Sequence, residues 1–379
     1  MNDFLTIIGA GLAGSEAAWQ AAERGVPVVL YEMRSVSLTA AHKTDGCAEL
    51  VCSNSLGNNL PHSAPYILKE ELRSFNSIVI SSGDRNSVPA GSALAVDRDL
   101  FSQEITEKIS SHPLITLKRQ EIVAIPQSGP VIIATGPLTS RKLSEEISHL
   151  IGQEYLYFYD ALSPIVDANS IDYDKAFFAS RYGKGDADYL NCPMDENQYY
   201  NFIRELNAAE KVPMASFEKP VYFEGCMPIE VMAERGPKTL AFGPLKPVGL
   251  PDPRTGKIAF AVVQLRKENK ESSAFNIVGF QTKLTYPEQK RIVQMIPGLE
   301  KAEFFRFGAI HRNTFIDTPS LLSNQLQLKT RPDIYFAGQI TGVEGYVESA
   351  SMGLLASLSA VAGITGKDYM PPPRDTALG

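Results

Sequence analysis

The chain has 379 residues, a hydrophobic share of 44%, a charged share of 21% and a formal net charge of −7. These values exclude a disordered chain and a protein that is basic throughout, and the length fits two domains or one domain carrying an insertion. No apolar run approaches the roughly 18 residues that span a bilayer, and the N-terminus enters a strand without a basic segment, so neither a membrane span nor a signal peptide is expected. Four cysteines (Cys47, Cys52, Cys192 and Cys226) form no disulfide framework and no paired CxxC motifs, which predicts a reducing cytoplasm and no metal.

Residues 4–8 read as a short buried strand, followed by the turn Gly9-Ala10-Gly11-Leu12-Ala13-Gly14. Residues 15–24 read as an amphipathic helix ending at Gly25, and residues 28–31 as a second strand closed by Glu32. This order of strand, GxGxxG, helix, strand and acid is a dinucleotide fingerprint in its full context. The first glycine makes the tight turn, the second lets backbone approach a pyrophosphate, and the third lets helix and strand pack closely. The helix N-terminus faces the anion, and Glu32 is placed for a ribose hydroxyl.

Further along, Cys52 lies in Glu49-Leu50-Val51-Cys52-Ser53-Asn54, and Cys226 in Glu224-Gly225-Cys226-Met227-Pro228. Cysteines kept for packing usually sit in apolar runs. These polar settings point to thiols working beside a redox cofactor, although an inert core position is the commoner fate of any single cysteine. Residues 131–136 form a strand ending in Thr135-Gly136. Residues 236–331 carry 15 Lys and Arg against 7 Asp and Glu, a surplus of +8 that leaves −15 on the rest. A surface facing a polyanion and a merely solvated face both fit this asymmetry. Lys246, Lys257, Arg266 and Lys283 are the candidates for phosphate contacts, while the aromatic residues of the same stretch read mostly as core, with a strand at 258–263.

Residues 334–339 form a late strand ending in Ala337-Gly338-Gln339, followed by Thr341-Gly342-Val343-Glu344-Gly345 and a small-residue helix over 349–361. In two-dinucleotide-binding flavoproteins such a strand and glycine-rich helix start set backbone N–H groups against the flavin ring, where a helix N-terminus stabilises negative charge. No second GxGxxG is present, so FAD fits better than NAD as the resident cofactor.

Three stretches carry a family resemblance: Ile8-Gly9-Ala10-Gly11-Leu12-Ala13-Gly14-Ser15-Glu16-Ala17-Ala18, residues 48–56 and residues 223–236. With residues 134–139, 311–316 and 337–350 they closely resemble the folate- and FAD-dependent tRNA (uracil-5-)-methyltransferases, the TrmFO family. The similarity runs along the whole chain. It implies an α/β fold in which an FAD-binding Rossmann-like domain (1–160 and 306–379) is interrupted by a smaller α+β insertion domain (161–305). It also implies methylation of a T-loop uridine of tRNA, with methylenetetrahydrofolate as carbon donor, reduced FAD as hydride source and NAD(P)H as reductant. By position, Cys226 and Cys52 match the catalytic pair, with Cys226 as nucleophile and Cys52 as proton acceptor. His311 and Glu344 match positions near the folate and flavin, and Gly338, Gln339, Gly345 and Val347 lie in the matched flavin block. Cys47 and Cys192 are read as structural, and His42, Asp97 and Arg98 lie in matching segments without an assigned role.

The chemistry of the residues agrees with that resemblance. Uracil C5 becomes nucleophilic only after a group adds to C6, a task suited to a thiolate, and a second group must take the C5 proton. If Glu224 and Glu230 lie close to Cys226, its ionisation needs positive potential from Lys238, Arg235, a helix N-terminus or the cofactor site. The chain departs from the family pattern at Lys43, Gly46, Cys47 and Gly57, and ends several dozen residues before the family does. A ribosomal RNA uridine as target, or a non-catalytic FAD-containing RNA-binding protein, stay open as alternatives. Nothing in the sequence fixes the oligomeric state.

Overall fold

The computed structural model describes residues 4–379 except 40, 154, 184–185, 214–221 and 223; the side chain of Glu224 is also outside it. Phe223 and Glu224, in the block around Cys226, are therefore partly or wholly beyond the described residues. Leu5–Ile8 is buried throughout and pairs in parallel with Val28–Glu32 on one side and Val131–Ile133 on the other. The sheet runs Gln327–Leu328, Arg331–Phe336, Val131–Ile133, Leu5–Ile8, Val28–Glu32, Ile115–Arg119, with only the first, edge strand antiparallel. A parallel sheet must be covered on both faces, which explains the near-continuous apolar runs of its central strands.

The first helix, Leu12–Ala22, begins directly after Gly11 rather than at residue 15, and every residue in it except Trp19 is buried. It is therefore not the amphipathic helix expected, because the final helix, Tyr346–Thr365, covers its outer side. A Cβ on Gly353 would lie 2.1 Å from the Ala13 carbonyl oxygen, and Ser357 Oγ donates to the Ala17 carbonyl at 2.8 Å. Small residues are what let these two helices approach so closely. By length and composition alone the final helix is apolar enough to cross a bilayer, which the sequence reading did not expect of any segment: its most apolar 18-residue window has a mean hydropathy of 1.4. Its apolarity has a packing reason, since a helix that is hydrophobic all round belongs in a core, and 61% of its most apolar window is buried.

A second, antiparallel sheet runs Phe177–Ala179, Tyr189–Met194, Ala261–Lys267, Ala274–Ile277, Ile165–Asp167, Phe304–Arg306. The strand expected at 258–263 starts later, at Ala261. Asp252 N–H closes a turn onto the Lys257 carbonyl at 2.9 Å and leaves Ile258 58% exposed. The helix Glu196–Ala208, opened by a reciprocal Asp195–Gln198 capping box, packs into the same core.

The chain leaves the first sheet through Leu156–Ala161 and returns through Ile310–Phe315, and these two segments pair with each other. Asn54 ties the segment that follows Cys52 to the antiparallel sheet: its amide donates to the Lys267 carbonyl and its oxygen accepts from Arg266 Nε at 2.8 Å. Arg266 is thus buried and spoken for, and cannot be the phosphate contact its charge suggested. Lys283 is also engaged, its ammonium 2.6 Å from the Tyr222 hydroxyl, whereas Lys246 and Lys257 are exposed.

Candidate active site

The glycine loop has three different jobs. Gly9 has φ 101°, and a Cβ there would meet the Ala134 carbonyl oxygen at 2.6 Å. A Cβ on Gly14 would stand 1.7 Å from the Gly9 carbonyl oxygen, so this position serves helix–strand packing. At Gly11 nothing lies within 4 Å, and the missing side chain opens directly onto a cleft. The helix that follows has no side-chain cap and no acid in its first turn. Its leading N–H groups are left for an anion.

Gly9, Gly11, Leu12, Ala13, Glu32, Thr135, Gly136, Gly338 and Gln339 all line this cleft, which holds about 1020 Å³ of empty space including its mouth. Ser140 Oγ is buried in the lining without a partner. Ala10 does not line it: its N–H donates to Glu32 Oε2 at 2.8 Å and its side chain is core. Glu32 is more committed than the sequence implies. Besides Ala10 it accepts from Arg34 N, Nε and Nη2 at 2.9–3.1 Å. Arg34, only 2% exposed, also reaches Glu49 and was not singled out from sequence. The signal available was a basic residue two positions past the fingerprint acid. Burial opposes the charge of Glu32, but the bonds from Arg34 outweigh it and hold the carboxyl below its usual range.

A second cavity of about 950 Å³ is lined by Cys52, Asp160, Cys226, Glu344, Gly345 and Val347 among others. Gln339 and Tyr346 line both spaces, so the two meet there. Cys52 precedes the strand Ser55–Asn58, Cys226 ends the short 3-10 turn Glu224–Cys226, and Asp160 stands on the crossing ribbon. The fold thus joins residues from four distant segments.

The Cys226 thiol donates to Cys52, which with burial and the charge of Asp160 pushes it far above the usual thiol range. Burial also raises the Asp160 carboxyl, against hydrogen bonds from Cys226 and Asn313. Glu344 is pushed up to about 7 by burial and by Asp160. The sequence missed Asp160. Lys238, Arg235, a helix N-terminus or the cofactor site was expected to supply positive potential to Cys226 if Glu224 and Glu230 lay close; the principal side chains acting on it are Cys52 and Asp160. Glu230 is turned to Thr282 and the Lys283 N–H.

Positive charge gathers at Cys52 instead. Arg98 donates to the carbonyls of Leu50 and Cys52 at 2.6 and 3.2 Å, and Arg306 to those of Val51 and Cys52 at 3.0 and 3.2 Å. The Tyr346 hydroxyl accepts from the Cys52 and Ser53 N–H groups at 2.8 and 3.3 Å. His311 pairs in register with Asp160 but lines neither cavity; its Nε2 is buried without a partner. Burial, then Arg306 and Lys43, lower its basicity. His42 lines the cleft, 2.6 Å from Thr39 Oγ1, and is pushed down to about 4, first by burial. Asp97 caps the helix that opens with Arg98. Cys47 and Cys192 are fully buried.

The family described as Glucose inhibited division protein A matches residues 5–368. A methylenetetrahydrofolate–tRNA-(uracil-5-)-methyltransferase TrmFO of Citrifermentans bemidjiense is 61% identical over 380 aligned residues, covering 100% of this chain and 87% of that protein. The protein of that name from Enterococcus faecalis is 60% identical, again over 100% of this chain and 87% of its own length. The chain belongs to the TrmFO family. Aquifex aeolicus GidA has the same fold, with a TM-score of 0.74 at 18% identity over 98% of this chain and 65% of that one. The TrmFO relatives match across both cavities, so the cleft and the cysteine site fall within the shared sequence.

Proposed function

We infer that this chain methylates C5 of a uridine in tRNA, with methylenetetrahydrofolate as carbon donor and FAD as resident cofactor. The reading is carried by one observation beside the family: a dinucleotide cleft shares Gln339 and Tyr346 with an adjacent cavity lined by two cysteines. The cleft suits FAD on its own terms. Gly11 and Gly136 leave open space where side chains would stand, the first helix is uncapped, and Ser140 Oγ lacks a partner. Bound there, reduced FAD supplies hydride, renewed from NAD(P)H. A ribose hydroxyl at Glu32 would replace one of the bonds from Arg34.

The cysteine cavity supplies the rest. Cys226 adds to uracil C6, its thiol proton passing to Asp160, and the resulting enolate takes the one-carbon unit at C5. Cys52 then accepts the C5 proton. After hydride delivery to the C5 methylene, the C5–C6 double bond reforms and Cys226 leaves as thiolate. Glu344, with a carboxyl poised near neutrality, is the lining group for folate, and the family match adds His311, which stands behind the lining opposite Asp160. Thr135, Gly136, Gly338, Gln339, Gly345 and Val347 form the flavin side of the site. In this reading residues 1–160 and 306–379 hold FAD, residues 161–305 are the insertion, and the protein works in the cytoplasm on a T-loop uridine.

The test is mass analysis of uridines in unmodified tRNA incubated with the protein, methylenetetrahydrofolate and NADPH. A 5-methyluridine at one T-loop position is the expected product. Unchanged uridines, with FAD bound and reduced, would overturn the reading.

A further inference from the structure

Resting on the uridine reading, we propose that Arg306, assisted by Arg98, is the positioning residue that makes Cys52 rather than Cys226 the carrier of negative charge in the cysteine pair. The two arginines arrive from different sheets: Arg98 opens a helix beside the parallel sheet, and Arg306 ends the edge strand Phe304–Arg306 of the antiparallel one. Both donate to the carbonyl of Cys52 itself, at 3.2 Å each.

Their charges are not equivalent. Arg98 is ion-paired with Glu268, and the two side chains are 13% and 6% exposed. Arg306 forms no ion pair among the described residues and leaves Nε buried without a partner. A guanidinium so placed hydrogen-bonds only neutral carbonyls of the cysteine loop, and the acidic groups whose fields it meets are Glu268, Tyr346 and Cys52. Burial of that guanidinium, then Arg98 beside it, lowers its proton affinity to about 10, and Glu268, Tyr346 and Cys52 oppose the fall in that order.

The other groups around the pair sort the same way. Asp160 and, beyond it, Glu344 lie on the Cys226 side, and Tyr346 accepts from the Cys52 N–H. Glu268 lies near both arginines but pairs with Arg98. Negative charge on sulfur is thus opposed at Cys226, while both guanidiniums sit on the loop of Cys52, whose Sγ reaches the Ala161 carbonyl at 3.9 Å. In the reaction the C5–H bond breaks and its electron pair forms the exocyclic double bond as the tetrahydrofolate nitrogen leaves. The proton ends on Cys52 Sγ, whose thiolate Arg306 has stabilised until that moment.

The experiment uses FAD-loaded Cys226→Ala protein, in which Cys47 and Cys192 are buried and Cys52 is the thiol left to react. The probe is iodoacetamide, read by mass spectrometry. Adding Arg306→Met should slow alkylation of Cys52 at neutral pH by about tenfold or more, since removing an opposite charge held on the same residue's carbonyl shifts ionisation by about that factor. The deficit should close in alkaline solution, and Arg306→Lys should restore most of the rate. Equal rates at neutral pH, or a deficit that persists at every pH, would overturn the proposal. If Arg306→Met does not hold FAD, Arg306→Gln, which keeps N–H donors without the charge, is read by the same criteria.

This readout needs neither RNA nor folate, so it stands apart from the uridine reading. With tRNA carrying tritium at uracil C5, Arg306→Met on the otherwise natural chain should release tritium at least tenfold more slowly. The same variant should still form an adduct with 5-fluorouridine RNA. Loss of adduct and release together would assign Arg306 to Cys226 or to the pocket as a whole and overturn the proposal.

Discussion

The dinucleotide cleft and the cysteine cavity touch at Gln339 and Tyr346, yet they are built in opposite ways. The cleft is shaped by backbone: a left-handed glycine, a missing side chain, an uncapped helix and the ends of parallel strands. The cavity is shaped by side chains with unequal charge, two arginines on the Cys52 loop and a carboxylate beside Cys226. Substitutions in the cleft should therefore act on folding or cofactor binding as a whole. Substitutions in the cavity should separate steps of the chemistry.

The largest expected effect is at Gly14. A Cβ 1.7 Å from the Gly9 carbonyl oxygen cannot be accommodated without separating helix from strand. Gly14→Val should lose cooperative thermal unfolding and soluble yield. Gly11→Val is the contrasting case, because φ is −70° and nothing lies within 4 Å. It should fold, with a circular dichroism melt close to that of the unaltered protein, and lose the flavin absorbance. Should Gly11→Val retain FAD at full occupancy, the cleft is not the pyrophosphate site.

Next in size come the cysteines. Cys226→Ala should abolish the denaturation-stable band with 5-fluorouridine RNA, whereas Cys52→Ala should keep the band and lower methylation by roughly 10²–10⁴-fold, the usual worth of a general base. The opposite pattern would reverse the two roles, and a band surviving both changes would remove thiol addition from the mechanism.

How much of this was legible follows from the same contrast. The cleft was readable because its determinants are contiguous: Gly9, Gly11, Gly14 and Glu32 fall within one strand–helix–strand unit whose spacing is itself the signal. Arg34 escaped because an arginine two residues past a strand carries no periodic mark. In the cavity, the cysteines were visible from their polar settings and the family match, but their electrostatics were not. Asp160 is one acid in an ordinary alternating strand, and it is the bridge of its neighbour Tyr159 to Tyr222 that brings this strand to the Cys226 segment. The charge surplus over 236–331 misled in part, since composition cannot distinguish Arg266, buried on Asn54, from exposed Lys257.

That distinction predicts a smaller effect. If the surplus faces tRNA, Lys257→Ala and Lys246→Ala should each weaken binding across RNA sequences and reduce the slope of log affinity against log salt by about 1. Arg266→Ala should instead act through the contact with Asn54, lowering thermal stability and leaving the salt slope unchanged. A flat salt dependence for the unaltered protein would make the surplus a solvated face.

The smallest expected effect belongs to Glu344, and it tests whether the cavity imposes electrostatic cost as well as function. Burial and Asp160 raise its carboxyl from about 4.5 to about 7 in the folded chain. Between those values the folded state holds a proton that the unfolded state has released, so stability falls as pH rises through this window. The unfavourable contribution is complete above neutrality and absent below about pH 4.5. Gln at this position mimics the protonated form at every pH. Glu344→Gln should therefore match the unaltered protein near pH 4.5 and melt a few degrees higher at pH 8, a small gain because the group is partly solvated. Melting curves at the two pH values, taken with equal FAD occupancy, check this. A gain of equal size at both pH values would place its origin in packing, and a loss at pH 8 would mean that the Glu344 carboxylate has a stabilising partner in the folded protein.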